Sequence, residues 1–338
     1  MIIVVILLFR CPTSTVDSPN ERFFSTNVSQ DISIESCVFS RNSVFVGNGG
    51  SNWADITNPK GGVIYVSSSG SYNIIIQDSS FIHCSAESEG GAIYMRFTDG
   101  SLRIQRTCAF ECCVTTNTQG HFACIWLNGM SSHDSNTIAS CSRSNQFGYG
   151  SLMLYLSNFS IRYINSSMNH AFSISTLFIY DPNPLDMSMC TLSENSASKD
   201  ITLWMRGGFG RRNVSNSNIV HNNSTETGVV YITGDGDFTM INCIFKNNTN
   251  TLFYVYSGII KVFNCLIDHK LTLFDRKITS SWTSNYYSSN NVQTTTPTYH
   301  ISHFSDDFCL KNEFKHATNS NQNQMLWKIS VFALYLSQ

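Results

Sequence analysis

Apolar, small and polar positions between residues 238 and 274 form a unit that is written twice. Met240, Cys243, Phe245 and Asn248 stand three, two and three residues apart and lead into an apolar run over 251–256. Val262, Cys265 and Ile267 restart the same order 22 residues after Cys243. Short β-like runs returning at a near-constant period, without helical spacing between them, predict a solenoid of β coils.

The unit can be followed back along the chain. Its first part is an apolar residue, two intervening positions, then a small or thiol residue. These anchors fall at Cys37, Ser79, Thr107, Cys141, Ile164, Cys190, Ser217, Cys243 and Cys265. Three positions before them stand Ile34, Ile76, Ile104, Ile138, Ile161, Met187, Val214, Met240 and Val262, every one aliphatic or Met. Anchors recur mostly 22 to 28 residues apart, with longer gaps after Cys37 and Thr107. Those gaps predict surface loops, one over 47–60, rich in Gly, Asn and Pro, and one within 115–135.

The second part is a short strand tipped with aromatic residues. It is seen in Gly61-Gly62-Val63-Ile64-Tyr65-Val66, in Gly90-Gly91-Ala92-Ile93-Tyr94-Met95 and in Cys124-Ile125-Trp126-Leu127. It continues through runs ending at or near Tyr155, Tyr180, Trp204, Tyr231 and Tyr254. β-branched and aromatic residues suit a pleated surface, and stacked copies would make one parallel sheet.

A polar file completes the unit. Five residues after the anchors stand Asn42, Asn169, Asn195, Asn222 and Asn248, replaced elsewhere by Cys84, Cys112, Gln146 and Lys270. Asn tolerates left-handed backbone and can bond the next side chain in a stack, so an inward ladder is expected at a coil corner. Anchor thiols would point inward as small hydrophobes. Pairing of Cys243 with Cys265 and free packing both fit the coil spacing, and Cys84 with Cys108, Cys112 or Cys113 is the other local group.

The fold expected is therefore all-β, a parallel β solenoid of about nine coils. Residues 19–275 form the repeat domain, and 276–338 an irregular linker with a C-terminal cap. The run from residue 2 to residue 9 reads as the apolar core of a secretion signal over 1–18, or else as a first β-strand. No later stretch approaches a membrane-spanning length.

Composition narrows the partners. Only 13% of residues are charged and the formal net charge is −2, with no run of Lys and Arg, so nucleic acid is not expected. With 23 Phe, 14 Tyr and 5 Trp the chain is too apolar for disorder. Seven glycosylation sequons begin at Asn27, Asn158, Asn165, Asn213, Asn222, Asn223 and Asn247, and the 12 cysteines show no zinc spacing.

Gly90-Gly91-Ala92-Ile93, together with the Phe-x-x-Asn units Phe39–Asn42 and Phe245–Asn248, resembles the repeats of chlamydial polymorphic outer membrane proteins and of related trichomonad surface families. Degenerate copies cover roughly residues 31–275, and only one copy carries the four-residue motif unchanged. The resemblance implies a right-handed β-helix related in fold to pectin lyases, acting at the cell surface in adhesion and immune exposure. A host or matrix protein or a glycan is the implied partner.

Chemistry on the same fold was weighed as the rival. A polysaccharide lyase or glycoside hydrolase needs clustered carboxylates. The nearest local cluster, Asp235-Gly236-Asp237, reads as a turn, as do Asp99-Gly100 and Asp181-Pro182. His83, His121, His133, His170 and His221 keep no common partner, with His170 and His221 expected in solvent beside the Asn ladder. Gly207-Gly208-Phe209-Gly210 lacks the helix that a phosphate loop requires. No catalytic, cofactor-binding or metal residue is assigned and no cofactor is expected. A structural coat component is the third reading. The loop 47–60 with Trp53 is the first choice of contact; Trp126 and Trp204 would make an aromatic sugar platform if they point outward, but are expected to pack in the core or against the sheet face.

Overall fold

The computed structural model describes residues 32–39, 60–67, 69–141, 148–182, 184–198, 201–207, 210–225, 227–234, 236–249 and 251–267, and the backbone of several strands on either side. Every described element is β, and every strand pairing is parallel to the corresponding strand of the next coil. The molecule is a parallel β-solenoid, with about seven turns among the described residues.

Each coil has two corner-linked legs in one sheet, a very short third leg and a return strand in a second sheet. Ser71–Gln77, Asp99–Gln105, Met130–Asp134 and Asn158–Arg162 exemplify the first leg; Ser80–Ile82, Cys108–Phe110, Thr137–Ala139 and Asn165–Ser167 the second. The return strands build a 10-stranded sheet that includes Ile64–Ser67, Ile93–Phe97, Ala123–Leu127, Leu152–Tyr155, Ile174–Tyr180, Ile201–Arg206, Val230–Thr233 and Thr251–Val255. At the ends, the backbone of Ile6–Arg10 pairs with Asp31–Glu35, and Ser284–Ser288 pairs with Ile259–Ile267.

The corner between the first two legs explains the anchor. The residue before each anchor has a positive φ, including bulky Arg106, Tyr163 and Met189. Such a backbone is costly for a non-glycine residue unless its surroundings hold it. At Ser79, Cys190, Ser217, Cys243 and Cys265 the anchor supplies that hold, its hydroxyl or thiol donating to the carbonyl two residues earlier. Ser79 Oγ bonds Gln77 O at 2.8 Å, Ser217 Oγ bonds Ser215 O at 2.8 Å, and Cys190 Sγ bonds Ser188 O at 3.2 Å. The same atom accepts the backbone N–H of the preceding coil's anchor, as Ser79 Oγ does from Cys37 N at 3.2 Å and Ser217 Oγ from Cys190 N at 3.1 Å. A small side chain can play both roles, and Ile164 fills the same place in its coil without a polar group.

One coil departs from the register expected from sequence. Strand pairing places Thr107 against Asn136 and Ile104 against His133, so Asn136 is the anchor there and not Cys141. Asn136 Oδ1 accepts from Thr107 N at 3.1 Å and Thr107 Oγ1 at 2.9 Å, while its Nδ2 donates to Ile104 O at 3.0 Å. His133 occupies the file otherwise filled by aliphatic residues, is 1% exposed, and bonds Ser131 Oγ at 2.9 Å. Anchor spacing across this coil is then 29 and 28 residues, and the loop expected within 115–135 is replaced by Ala123–Leu127 and Met130–Asp134.

Cys141 instead joins the second corner file, in the place expected for Gln146, and the Asn ladder forms there over Asn169, Asn195, Asn222 and Asn248; Asn42, Gln146 and Lys270 lie outside the described residues. The order is Cys84, Cys112, Cys141, Asn169, Asn195, Asn222, Asn248, all buried. Asn195, Asn222 and Asn248 each accept two bonds at Oδ1 from the preceding coil: Asn195 from Asn169 N and Nδ2, both at 3.0 Å, and Asn248 from Asn222 N at 2.9 Å and Nδ2 at 3.1 Å, while Asn169 Oδ1 accepts one, from Cys141 N at 2.9 Å. Each Nδ2 also donates to a carbonyl of the coil behind, Asn195 to Ser166 O at 2.9 Å and Asn222 to Leu192 O at 2.9 Å. The cysteines of the file make the analogous bond through sulfur, Cys112 Sγ reaching Phe81 O at 3.4 Å. Burying amides is tolerable here because every donor has an acceptor.

Cys243 and Cys265 are stacked thiols, with Cys243 N donating to Cys265 Sγ at 3.4 Å; Cys84, Cys112 and Cys113 are thiols too. Cys37 and Cys108 each carry a disulfide bond.

The paired glycines have a steric cause. Gly90 turns with φ +71°, and a Cβ at Gly91 would collide with the carbonyl oxygens of His121 and Cys113 in the next coil. The second glycine of the motif is thus a point of backbone contact between coils.

Candidate aromatic groove on the ten-stranded sheet

Alternation along each return strand decides what faces outward. Ile93, Met95 and Phe97, then Ala123, Ile125 and Leu127, then Leu152 and Leu154, then Leu177 and Ile179 belong to the interior core. The residues between them turn to the other side and form a second apolar cluster of Tyr94, Cys124, Met153, Tyr155, Ile174 and Phe178, with Tyr65, Trp126, Tyr149, Tyr180 and Trp204 packed against it. Trp126 and Trp204 therefore lie on the outer face of the sheet, not in the core.

Register aligns this face into two files. Tyr65, Tyr94, Cys124, Met153, Phe178, Trp204, Tyr231 and Tyr254 follow one another in successive coils. Beside them run Arg96, Trp126, Tyr155, Tyr180 and Arg206. Trp126 stacks on Tyr155 with ring centroids 3.6 Å apart and planes 4° from parallel. Tyr155 and Tyr180 are 5.8 Å apart, and Arg206 Cζ lies 5.1 Å from the Tyr180 ring centre. In the first file Phe178 meets Trp204 edge to face at 4.8 Å, and Trp204 meets Tyr231 at 5.0 Å. The Phe178–Trp204 pair has the favoured edge-to-face geometry, whereas Trp126 and Tyr155 lie face to face.

Trp126, Tyr155, Tyr180 and Arg206 of the second file, with Met153, Phe178 and Trp204 of the first, line a groove of about 530 Å³. One wall is the segment 117–119, which contributes Asn117, Thr118 and Gln119. That wall is held by backbone bonds from Tyr149 N to Thr118 O at 2.7 Å and from Gly120 N to Tyr149 O at 2.8 Å. Tyr149 itself lines the groove.

Polar groups on the wall are already linked. The Tyr155 hydroxyl donates to Gln119 Oε1, and Gln119 Nε2 donates to Glu89 Oε1 at 2.9 Å. Lys60 Nζ forms an ion pair with Glu89 at 2.9 Å and lies 4.8 Å from the Tyr94 ring centre. Burial raises the Tyr94 phenol to about 12 and pushes Tyr155 further above the ordinary phenol range, so both stay neutral donors. Glu89 is the one carboxylate among the lining residues, and Arg206 the one cation.

The other residues considered from sequence do not converge on this groove. Asp237 pairs with Lys261 Nζ at 2.6 Å, and Asp99 Oδ1 accepts from Gly100 N at 2.8 Å in a turn. His83 pairs with Glu111 at 2.7 Å, and His121 is buried with Nδ1 accepting from Val114 N at 3.2 Å. His221 is exposed as expected, but His170 is half-buried with Nδ1 2.8 Å from Ser196 Oγ. Asp235, Gly208, Phe209 and the loop residues 47–59 with Trp53 lie outside the described residues. Among the described residues no helix is long and apolar enough to cross a membrane.

Strand membership alone does not show the groove, because it leaves open which way Trp126 and Trp204 point. The signal that finds it is parity: in these strands aliphatic residues keep one parity and aromatic or cationic residues the other. Compared with protein-family models, with curated proteins and with solved structures, the chain matches none.

Proposed function

We propose that this chain is a non-catalytic binding protein, displayed at a cell surface or secreted, whose ligand site is the aromatic groove and whose ligand is a glycan. The observation that carries the reading is the outward Trp126–Tyr155–Tyr180 file beside a wall of amide and hydroxyl groups. Flat apolar rings matched to hydroxyl-bonding side chains suit a pyranose, which has an apolar C–H face and a rim of hydroxyls. Glycoside hydrolysis calls for two carboxylates across the scissile bond. Glu89 alone lines the groove and is engaged by Lys60 and Gln119, which favours binding over turnover.

The finer reading, a right-handed coil akin to the chlamydial and trichomonad surface families, rests on the Gly90–Ile93 and Phe-x-x-Asn units and brings the extracellular setting with it. Both parts have a test. An array of defined oligosaccharides probed with the intact protein should give binding to a subset, abolished by Trp126→Ala in a variant with unchanged circular dichroism. An array without binding, or binding indifferent to that substitution, contradicts the reading. Fractionation of cells expressing a C-terminally tagged chain should place it outside the cell; retention inside contradicts the extracellular part.

A further inference from the structure

We propose that the glycan taken by the groove is acidic, a uronic or sulfated oligosaccharide lying along the solenoid axis between Arg96 and Arg206. This rests on the groove being a glycan site and names the class of glycan.

The file Arg96, Trp126, Tyr155, Tyr180, Arg206 occupies five successive coils at one strand position. Its centre is aromatic and both of its ends are guanidinium groups: Arg206 lines the groove, and Arg96 continues the file one coil beyond Trp126. Four coil steps at ~4.8 Å put the two arginines roughly 19 Å apart, the length of a short run of pyranose rings. Both arginines are exposed. Neither makes an ion pair with a carboxylate among the described residues, whereas Arg106 and Arg162, on the first-leg sheet, pair with Asp78 and Asp186. Arg206 instead lies over Tyr180, its Cζ 5.1 Å from the ring centre. A guanidinium so placed matches a carboxylate or sulfate with two parallel hydrogen bonds.

The surrounding charge points the same way. Glu89, the acidic group of the groove, is neutralised by Lys60 at 2.9 Å and does not repel an anion. The whole chain has a formal net charge of −2, so a polyanion gains nothing from the global field and must be held by the local pair of cations. A neutral saccharide would use the rings and leave both guanidinium groups idle.

The test is calorimetric titration of the intact protein with hexasaccharides of one backbone in three forms: uronic acid, sulfated, and neutral by carboxyl reduction or desulfation. At least one acidic form should bind about tenfold or more tightly than the neutral form. Arg96→Ala and Arg206→Ala should each erase most of that margin, while Arg103→Ala, on the other sheet, leaves it intact. The uronic and sulfated arms show which anion is read. Equal affinity for neutral and acidic forms, still lost in Trp126→Ala, overturns the acidic proposal and leaves the glycan reading standing. Polyglutamate binding as tightly as the acidic sugars, with Arg103→Ala as damaging as Arg206→Ala, overturns it as mere polyanion attraction. Absence of binding to all three forms overturns both.

Discussion

Asn195 and Asn222 join their coils through a single oxygen: Asn222 Oδ1 accepts from Asn195 N at 3.1 Å and from Asn195 Nδ2 at 3.0 Å. The carboxamide thereby closes a corner that the backbone alone leaves unpaired. Asn195 Nδ2 spends its other proton on Ser166 O at 2.9 Å. Substitution Asn195→Ala strips Asn169 of its acceptor and leaves Ser166 O without its donor, all in a buried file. The expected loss is about 3 kcal/mol or more, since each buried orphan costs roughly 1–3 kcal/mol. Urea denaturation of the variant measures it, and a loss below about 1 kcal/mol would mean that the ladder is decorative.

Sulfur does the same work at the other end of that file. Cys141 Sγ reaches Ala109 O at 4.0 Å, and Cys141 N donates to Asn169 Oδ1 at 2.9 Å. Asn169→Cys should therefore be less damaging than Asn169→Ala, by about 1 kcal/mol. At the anchors the interchange is between sulfur and oxygen. Cys190→Ser should stay within about 1 kcal/mol of the parent because Ser217 fills the next anchor, while Cys190→Leu overpacks the corner and costs about 1–3 kcal/mol. Burial also pushes the Cys190 thiol up to about 12, so it should resist alkylation until the chain is unfolded.

His133 predicts a pH dependence. Burial pushes its imidazole down to about 4, below the ordinary value near 6.5 of an unfolded chain. Between those values the unfolded state binds the extra proton, so stability is full above about pH 6.5 and falls as pH drops towards 4. The loss from this group is on the order of 3 kcal/mol across that window. Replacing it with the residue of its file neighbours, His133→Ile, should flatten the profile there, although Ser131 Oγ loses its partner. Denaturation midpoints at several pH values check this; an unchanged slope would place His133 at the surface.

Neighbouring sequons should differ in use. Asn222 is fully buried in the ladder, whereas Asn223, Asn158 and Asn247 are exposed. In material exported through a glycosylating route, peptide mass spectrometry should find glycan at one or more of the exposed three and none at Asn222. Occupancy of Asn222 would require the corner to be open.

Gly91→Ala tests the contact between coils with a single methyl group. Its Cβ would meet the backbone carbonyls of His121 and Cys113, which cannot rotate away. Soluble yield and melting temperature should fall more than for Ala92→Gly in the same turn, which only removes a methyl group.

Much of the coil was legible in the chain, and the exceptions have a common cause. Apolar residues three before an anchor are visible because burial demands them; Ile76, Ile104, Ile161 and Met187 share one file. Residues 130–141 hid their register because His133 and Asn136 achieve with hydrogen bonds what Ile and Cys or Ser achieve elsewhere. Ile138 and Cys141 then imitate the expected spacing from the second leg. The groove was less legible still. A tryptophan within a strand does not disclose which way it points until the neighbouring aliphatic residues are assigned to the core, and Gln119 reaches Tyr155 only because residues 117–119 fold over the next coil.

The outward aromatic file between two arginines is the claim on which the function depends, and an experimental density map of the intact chain tests it most directly. The Trp126 indole should lie flat on Tyr155, with Tyr180 next in line and Arg96 and Arg206 at the two ends on the solvent side of the ten-stranded sheet. Trp126 or Tyr180 found among Ile125, Leu154 and Ile179 in the interior, or the two arginines on different faces, would contradict it.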